Sequence, residues 1–232
     1  GSEMCIRDSD NGINYIRIRI WNDPFNADGE TYGGGGNDVS TGVEIAKEAA
    51  QYDMKVLLDF HYSDFWAEPA VQLVPKAWKK DVNNTEKMCS DVYDFTKESI
   101  QKFKDAGANI GMVQVGNEIT NGLLGIYSNR DKGESFNVIW GDKKKSTEVN
   151  KYLKAGIKAV REYTPQALVA LHLETPNVWK YKTIMNTWKR DNVDYDVLGS
   201  SYYPFWSIAA SASTAKTLKD VQTLAASYGK MF

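Results

Sequence analysis

Short apolar runs of strand length alternate with helical patterns along this 232-residue chain. The predicted strands span 14–21, 55–60, 111–118, 168–173 and 197–203. Strands that alternate with helices in this way run parallel and are joined by right-handed crossovers. Polar and aromatic residues cluster after the ends of the strands and not after the ends of the helices. This asymmetry predicts a (β/α)8 TIM barrel with its site at the carboxyl ends of the strands, and a doubly wound open sheet is the alternative.

Three segments outside the strands carry structural predictions. The sequence TGVE at 41–44 is a capping box, which predicts that the first helix begins there. Residues 121–142 are polar and aromatic without a period, so we expect a long loop. Residues 230–232 follow the last helical stripe and are predicted to open another strand.

Composition narrows the class of protein. The chain is 42% hydrophobic and 25% charged, as globular proteins are, with a formal net charge of −2. This near-neutral charge gives no reason to expect nucleic acid or an anionic membrane as a partner. No apolar run approaches the ~20 residues that a membrane span requires. The two cysteines, Cys5 and Cys89, are too few to form a disulfide framework.

The first residues do not look like part of a fold. Residues 1–9 begin with Gly-Ser and fit no periodic pattern, which is typical of a cloning or assembly remnant. No linker, repeat or shift in composition divides the remainder. Residues 10–232 are therefore predicted to form a single domain.

One predicted strand ends in a carboxyl group. Residues 111–115 form an apolar, β-branched run, the composition of a strand that is buried on both faces, and Asn117 and Glu118 follow it. An isolated glutamate is usually a solvated surface residue. A carboxyl group that follows a buried strand in a parallel α/β protein lies where ligands bind, and here an amide lies beside it. We therefore predict that Glu118 is catalytic.

Other strand ends also carry polar or aromatic side chains. The end of strand 55–60 and the loop after it combine two carboxylates and an imidazole with four aromatic residues. His172 and Glu174 lie at the end of the strand after next. In the first strand, Arg17 and Arg19 alternate with isoleucines. They could be solvated side chains of an edge strand, or an arginine inside a barrel that pairs with carboxylates. The alternation does not choose between these readings.

Four segments resemble a known family. The sequences YIRIRIWNDP, LLDFHYSDFWAEP, QVGNEITNG and LGSSYYPFW are similar to the strand-end motifs of the arabinogalactan endo-β-1,4-galactanases and follow one another in the family's order, from Tyr15 to Trp206. The resemblance implies a retaining glycoside hydrolase with a (β/α)8 fold and glutamates on strands four and seven. It implies β-1,4-galactan or galacto-oligosaccharides as substrate, with no cofactor and no metal among these residues.

The resemblance also assigns roles to individual residues. Glu118 resembles the general acid/base, and Asn117 the amide that binds the sugar 2-hydroxyl group. Arg19 is expected beneath the carboxyl pair, with Arg17 the less favoured candidate. Trp66 and Trp206 resemble stacking platforms for galactose rings. The remaining substrate-binding candidates, which the resemblance places along the cleft, are Asp59, His61, Asp64, His172 and Tyr202.

Parts of the family pattern have no counterpart in this sequence. The recognisable strands would be strands two to six of the barrel, and the nucleophile and a calcium site known in some members are expected beyond Phe232. Glu174 follows strand five and is not expected to be the nucleophile, although a retaining mechanism needs two carboxyl groups roughly 5 Å apart. The domain is thus expected to be truncated at both ends. Taken alone, such a chain should be nearly inactive and marginal, aggregation-prone or paired edge to edge with another copy.

Other functions remain open at this point. A relative from the same clan could cut another β-linked polysaccharide, and a non-catalytic module could bind galactan without turnover. Metalloenzyme function is disfavoured because His61 and His172 lie far apart and neither an HExxH nor a CxxC motif occurs. The resemblance implies a secreted or cell-envelope protein, although no signal peptide is visible in this sequence.

Overall fold

The computed structural model describes residues 10–203 and 211–232, with side chains from residue 214 onward in the second range. Its centre is a five-stranded sheet in which spatial order follows chain order, and every neighbouring pair is parallel. The strands are β1 (Tyr15–Ile20), β2 (Lys55–Phe60), β3 (Ile110–Val115), β4 (Leu168–Glu174) and β5 (Val197–Ser201). A doubly wound sheet would reverse its strand order partway. The sequential order confirms the predicted barrel architecture for this part of the chain.

A helix follows each strand. These helices are α1 (Val39–Ala50), α2 (Thr85–Asp105), α3 (Lys143–Tyr163), α4 (Val178–Arg190) and α5 (Ser211–Ser227). After α5 the chain returns to the sheet, because Met231 forms a parallel bridge with Val197 and exchanges backbone hydrogen bonds with Asp196 and Leu198. Residues 230–232 therefore continue the sheet beside β5, as the sequence predicted. Among the described residues no helix is both long and apolar enough to cross a membrane.

Short polar side chains fix the starts of these helices. Asn84, Asp142 and Asn177 each accept a hydrogen bond from a backbone N–H in the first turn of α2, α3 and α4. In α1 this role belongs to Asp38, whose carboxylate accepts from the N–H of Thr41 at 3.0 Å. The predicted start at 41–44 was therefore wrong, because Thr41 is the donor within the first turn and not the capping residue.

The segment predicted as one long loop, 121–142, contains local structure. A short antiparallel hairpin joins Gly122–Leu123 to Ile126–Tyr127, and a one-turn helix spans Asn137–Trp140. Trp140 is buried and donates from Nε1 to the carbonyl oxygen of Thr120 at 2.6 Å. Elements this short are held by tertiary contacts, so they leave no periodic pattern in the sequence.

The hydrophobic core lies between the sheet and its helices. In β1, Ile18 and Ile20 are buried against the helices, whereas Arg17 and Arg19 lie on the opposite face. Helices α2 and α3 contribute the largest apolar stripes to this layer. Their buried residues include Met88, Val92, Ile100, Phe103, Val149, Leu153, Ile157 and Val160.

Helix α3 packs closely behind two strand ends. A Cβ atom at Gly156 would lie 2.7 Å from Oη of Tyr62 and 2.8 Å from Cγ1 of Val115. Both distances are shorter than carbon atoms tolerate, so the missing side chain permits this approach. Tyr62 follows β2 and Val115 ends β3. The helix therefore supports the two strands that lead into the site.

Candidate active site

A cleft of about 420 Å³ opens at the carboxyl ends of the strands. Side chains that end or follow β1, β2, β3 and β5 line it, as expected of a parallel barrel. The lining residues are Arg17, Arg19, Asp59, His61, Phe65, Trp66, Glu68, Asn117, Glu118, Ser201 and Tyr203. The structure thus brings together most of the residues that the sequence singled out.

The backbone of Glu118 is held in an unusual conformation. Its φ of 47° and ψ of 48° lie in the left-handed region, which costs a residue other than glycine about 1–2 kcal/mol. The N–H of Glu118 donates to Nδ1 of His172 at 3.0 Å. On the other side, Nε2 of Gln72 donates to the carbonyl oxygens of Asn117 at 2.9 Å and Glu118 at 3.4 Å. These contacts stabilise a strained strand end, and strain of this kind is found at functional sites.

The environment of Glu118 favours its protonated form. Partial burial raises the pKa of Glu118, and the negative charges of Glu174 and Glu68 raise it further. A hydrogen bond from Ser201 and the positive charge of Arg17 oppose this rise. A carboxyl group that holds its proton to a higher pH can act as a general acid.

His172 lies beneath the cleft and not on its wall. Its side chain is buried, and this burial, with the nearby positive charge of Arg17, lowers its pKa to about 4 against the opposing effect of Asp59. His172 is therefore neutral near pH 7. Its Nε2 lies 3.1 Å from Oγ of Ser201. The residue is in place to orient Glu118 and Ser201, although the resemblance had placed it along the cleft.

Arg17, whose side chain is 44% exposed, is the centre of a polar network that includes the buried side chains of Asp59, Gln114 and Asn117. Its Nη2 lies 2.9 Å from Oδ2 of Asp59 and donates to Oε1 of Gln114 at 3.0 Å and to Oδ1 of Asn117 at 2.9 Å. Gln114 in turn donates from Nε2 to Oδ1 of Asp59 at 2.7 Å and to Oδ1 of Asn117 at 3.0 Å. Asn117 donates one N–H to the carbonyl oxygen of Ala67 at 2.8 Å. One amide N–H of Asn117 is left for a ligand.

The expectation that Arg19 lies beneath the carboxyl groups was wrong, since Arg17 occupies that position. In the strand register Arg19 is level with Asp59, and Arg17 lies two residues lower on the same face. The long side chain of Arg17 therefore reaches up to Asp59. Arg19 ends above the sheet, where its guanidinium group lies 4.0 Å from the centroid of the Trp66 ring. Arg19 still lines the cleft, so its substrate contact stays a prediction.

Two further candidates reach the cleft from the loop after β2. His61 accepts from the N–H of Ala67 on Nδ1 at 3.1 Å, so its Nε2 carries the proton toward Asp59 at 3.2 Å. Trp66 is 42% exposed and meets the rings of Trp21 and His61 edge to face. A fixed, exposed indole is suited to stacking against a ligand.

The structure places the other candidates differently. Asp64 lies outside the cleft, and its two oxygens accept from the N–H groups of Asp23 at 3.0 Å and Lys76 at 2.7 Å. Its predicted position on the cleft was wrong, because the carboxylate joins two loops. Tyr203 lines the cleft and Tyr202 does not, as the alternation beyond β5 requires. Trp206 lies outside the described residues.

Two other carboxylates near Glu118, those of Asp59 and Glu174, are already paired and are not free to react. Asp59 is fully buried, and its oxygens are occupied by Arg17, His61 and Gln114. Glu174 lies off the cleft, 3.5 Å from Nζ of Lys180. Within the described part of the chain, three carboxyl groups line the cleft: Glu118, the buried Asp59 and Glu68. No group of three or more His, Cys, Asp and Glu side chains there could hold a metal ion.

Sequence reasoning missed the lining residues Phe65, Glu68, Ser201 and Tyr203 and the supporting residues Gln114 and Gln72. Gln114 is a polar residue inside an apolar strand, and a buried amide must find partners, so the sequence did contain a signal for it. Gln72 and Ser201 gave no comparable signal. Gln72 lies in an irregular loop, and Ser201 is one of two adjacent serines.

Comparisons with known proteins identify the family of this chain. The sequence model described as glycosyl hydrolase family 53 matches residues 6–231. The chain is 44% identical over 221 residues to an endo-beta-1,4-galactanase of Bacillus subtilis, covering 94% of this chain and 46% of that protein. A family 53 catalytic domain from Ignisphaera aggregans is 33% identical, with a TM-score of 0.75, and the match covers 88% of this chain and 52% of that one.

A fungal beta-1,4-galactanase structure is 25% identical with a TM-score of 0.77, over 98% of this chain and 63% of the fungal chain. This chain therefore spans between 46% and 63% of the length of these three relatives. The five parallel strands of this chain, in chain order, agree with part of a (β/α)8 barrel.

Proposed function

Because this chain belongs to glycosyl hydrolase family 53, we propose that it carries the acid/base part of the active site of an endo-β-1,4-galactanase. The observation that supports this best is Glu118, a strained and partly buried glutamate with a raised pKa that faces a cleft at the carboxyl ends of the strands. The substrate would be β-1,4-galactan or galacto-oligosaccharides, and the reaction hydrolysis of an internal glycosidic bond.

In the proposed mechanism Glu118 acts twice. Its proton passes to the glycosidic oxygen as the bond to the anomeric carbon breaks, and the resulting carboxylate then removes a proton from the attacking water. Retention of configuration requires a second carboxyl group as nucleophile, roughly 5 Å away. Asp59 and Glu174 are engaged elsewhere. Glu68 lies in the loop after β2, whereas the resemblance expects the nucleophile at the end of a later strand. We therefore assign this role to a group outside the described residues.

The network under the cleft would position the sugar. Arg17 and Gln114 fix the side-chain oxygen of Asn117, which directs the remaining amide N–H outward. A 2-hydroxyl group that accepts this hydrogen bond would gain most from it at the oxocarbenium-like transition state. Arg17 also places a positive charge near Glu118, so Glu118 can ionise when it must act as a base.

Trp66 would form a binding subsite for a neighbouring galactose residue. One face of its indole carries the Arg19 guanidinium group, so a sugar ring would stack on the opposite face. Tyr202 and Trp206 remain proposed contacts of the same cleft. A polymer of this kind is too large to enter a cell, so we also propose that the protein acts outside the cytoplasm or at the cell envelope.

A matched pair of variants in the full-length protein tests the assignment. Glu118→Gln removes the acid with little change in shape, whereas Glu98→Gln makes the same change at an exposed position on α2. Glu118→Gln should lower galactan turnover by about 10²–10⁴-fold and affect aryl galactosides with good leaving groups much less. Glu98→Gln should match the parent. Near-parental galactan turnover by Glu118→Gln would reject the assignment.

The same assay separates the alternative functions. Hydrolysis of mannan in preference to galactan by the parent protein would favour a relative with another substrate. Binding of galactan by the full-length protein without any hydrolysis would favour a non-catalytic module.

A further inference from the structure

A second groove adjoins the cleft on the far side of Phe65. It has a volume of about 620 Å³, and apolar side chains form most of its surface. Tyr32, Leu73 and Val82 in this groove are 44%, 53% and 44% exposed, and Phe65 is 37% exposed. Exposed apolar side chains gathered in one groove mark a site of interaction. The proposed mechanism does not use this groove.

The walls of the groove come from three consecutive loops. Tyr32 lies after β1, the residues from Phe65 to Val82 after β2, and Tyr127 after β3. None of these walls is the outer edge of β1 or β5. The groove is therefore formed within the described residues and does not mark the place of a neighbouring strand.

An ion pair and several hydrogen bonds join these walls to one another. Nζ of Lys76 lies 2.7 Å from the carboxylate of Asp23 and donates to the carbonyl oxygens of Asp23 and Phe25, both at 2.7 Å. Asp64 accepts from the backbone N–H groups of Asp23 and Lys76. The loop after β3 is joined by the N–H of Gly125, which donates to the carbonyl oxygen of Gln72 at 2.6 Å. A surface ordered in advance loses little entropy when a ligand binds.

Phe65 connects the groove to the cleft. Its ring lines both cavities and packs 5.2 Å from the ring centroid of the buried Trp21, which in turn contacts Trp66. Phe65 and Trp66 are thus two exposed rings that pack against one buried indole. A linear ligand that stacks on Trp66 in the cleft and extends past Phe65 enters the groove.

We propose that this groove is an accessory subsite for the same galactan chain, in which galactose rings distant from the cleaved bond pack against Tyr32 and Phe65. The inference rests on the proposed function. Galactose has an apolar C–H face, hydroxyl groups and no charge, and it suits a groove of mostly aromatic and aliphatic side chains. Of the charged residues in the lining, Lys76 and Asp64 already bond protein groups, and Lys79 could donate to a sugar hydroxyl group. Both cavities fall in the usual size range of ligand sites, about 300–1,000 Å³.

Calorimetric titration with galacto-oligosaccharides of two to six residues tests the proposal. The Glu118→Gln protein serves as the parent, so that binding is measured without turnover. Affinity of the parent should rise with ligand length. In this background, Tyr32→Ala and Leu73→Asp should weaken binding of the longest ligand roughly threefold to tenfold and leave the disaccharide unchanged. Trp179→Ala removes a ring that is 63% exposed on α4, away from both cavities. This control should change the affinity neither for the disaccharide nor for the longest ligand.

A conservative variant guards against a purely structural effect. Tyr32→Phe keeps the ring and loses only the hydroxyl contact with Lys76, so it should bind the longest ligand like the parent. Equal losses for short and long ligands, or parental binding by both groove variants, would overturn the accessory subsite and leave the proposed function standing. Failure of the parent to bind any galacto-oligosaccharide would instead reject the proposed function.

Discussion

The backbone N–H of Glu118 donates to Nδ1 of His172 across 3.0 Å. A ring nitrogen that accepts a hydrogen bond carries no proton, so the proton of the neutral imidazole lies on Nε2. Nε2 then donates to Oγ of Ser201, which leaves the serine hydroxyl proton for the carboxyl group of Glu118. One histidine thereby fixes the backbone of the acid and, through Ser201, the hydrogen bond that its carboxyl group receives.

Removing the Ser201 hydroxyl should shift the pH profile of the full-length enzyme. The hydrogen bond from Ser201 lowers the pKa of Glu118, so Ser201→Ala should raise it, while Glu174, Glu68 and Arg17 act as before. In the proposed mechanism galactan hydrolysis needs protonated Glu118, so it should fall as pH rises through this pKa. The basic limb of kcat/KM should therefore move to higher pH. Ser200→Ala, which removes a partner of Tyr181, is the control and should leave that limb in place.

His172 should make folding stability depend on pH. Its pKa is about 4 in the folded chain against an ordinary 6.5, so the unfolded chain takes up the proton first as pH falls. Stability from this group is present above pH 6.5 and is lost between pH 6.5 and about 4, by at most about 3 kcal/mol.

Urea unfolding of the 232-residue chain at several pH values would measure this loss. His172→Asn keeps an acceptor for the Glu118 N–H but cannot titrate, so its curve should lack the acidic decline. Glu118 has a raised pKa and contributes with the opposite sign, and the comparison with the variant cancels that contribution. Parallel curves for the two proteins would contradict the burial of a neutral His172.

The two arginines of β1 should differ in their importance for stability. Arg17→Met leaves the buried carboxylate of Asp59 without its cation and should cost about 2 kcal/mol or more. Arg19→Met loses a contact with the Trp66 ring and should cost less than about 1 kcal/mol. Denaturant midpoints compare them directly. Equal costs would mean that the network around Asp59 adds little to stability.

Gln72 should matter for catalysis without touching the substrate. Gln72→Met keeps the size of the side chain but removes the donor that holds the carbonyl oxygens of Asn117 and Glu118. Unfolding free energy should fall by about 1–2 kcal/mol, the lower part of the usual range, because Oε1 of Gln72 is already buried without a partner.

In the full-length protein this variant should lower kcat with little change in KM. Gln222→Met, at an exposed position of α5, should alter neither stability nor kinetics. A rise in KM with unchanged kcat would show instead that Gln72 shapes the binding surface.

The outer side of β1 should drive self-association of the 232-residue chain. Across residues 10–203 and 211–232, β1 pairs on one side with β2 and no strand pairs with its other side. Ile13 beside it is 45% exposed. Unpaired strand edges recruit further strands, and a lysine at such an edge opposes this. In sedimentation experiments Ile13→Lys should therefore self-associate less than the parent. The control variant Trp179→Lys, on α4, should self-associate as much as the parent.

The sequence was sufficient to predict the barrel units and the position of Glu118. The strand at 55–60 coincides with β2, and the run before Asn117 forms β3, because continuous apolar runs specify strands buried on both faces. The prediction of Glu118 as a candidate acid rests only on its position after the end of that strand. No knowledge of tertiary contacts was needed for it.

The positions of other site residues depend on which side chains and loops meet in the folded chain. Arg17 and Arg19 lie on the same face of one strand, and only the register with β2 shows which guanidinium group meets Asp59. Asp64 follows a strand like the other candidates, yet backbone N–H groups of two loops hold it outside the cleft. Loop conformations of this kind leave no periodic signal in a sequence.

The position of the acid also depends on a helix that never reaches the cleft. At Gly156 the backbone of α3 lies against Val115, the last residue of β3, and Glu118 follows three positions later. A methyl group at position 156 would push the helix and this strand apart, and a displacement there would be carried along the chain to the carboxyl group. Gly156 thus helps to set the position of the Glu118 side chain, because the absence of a side chain at residue 156 lets α3 approach the end of β3.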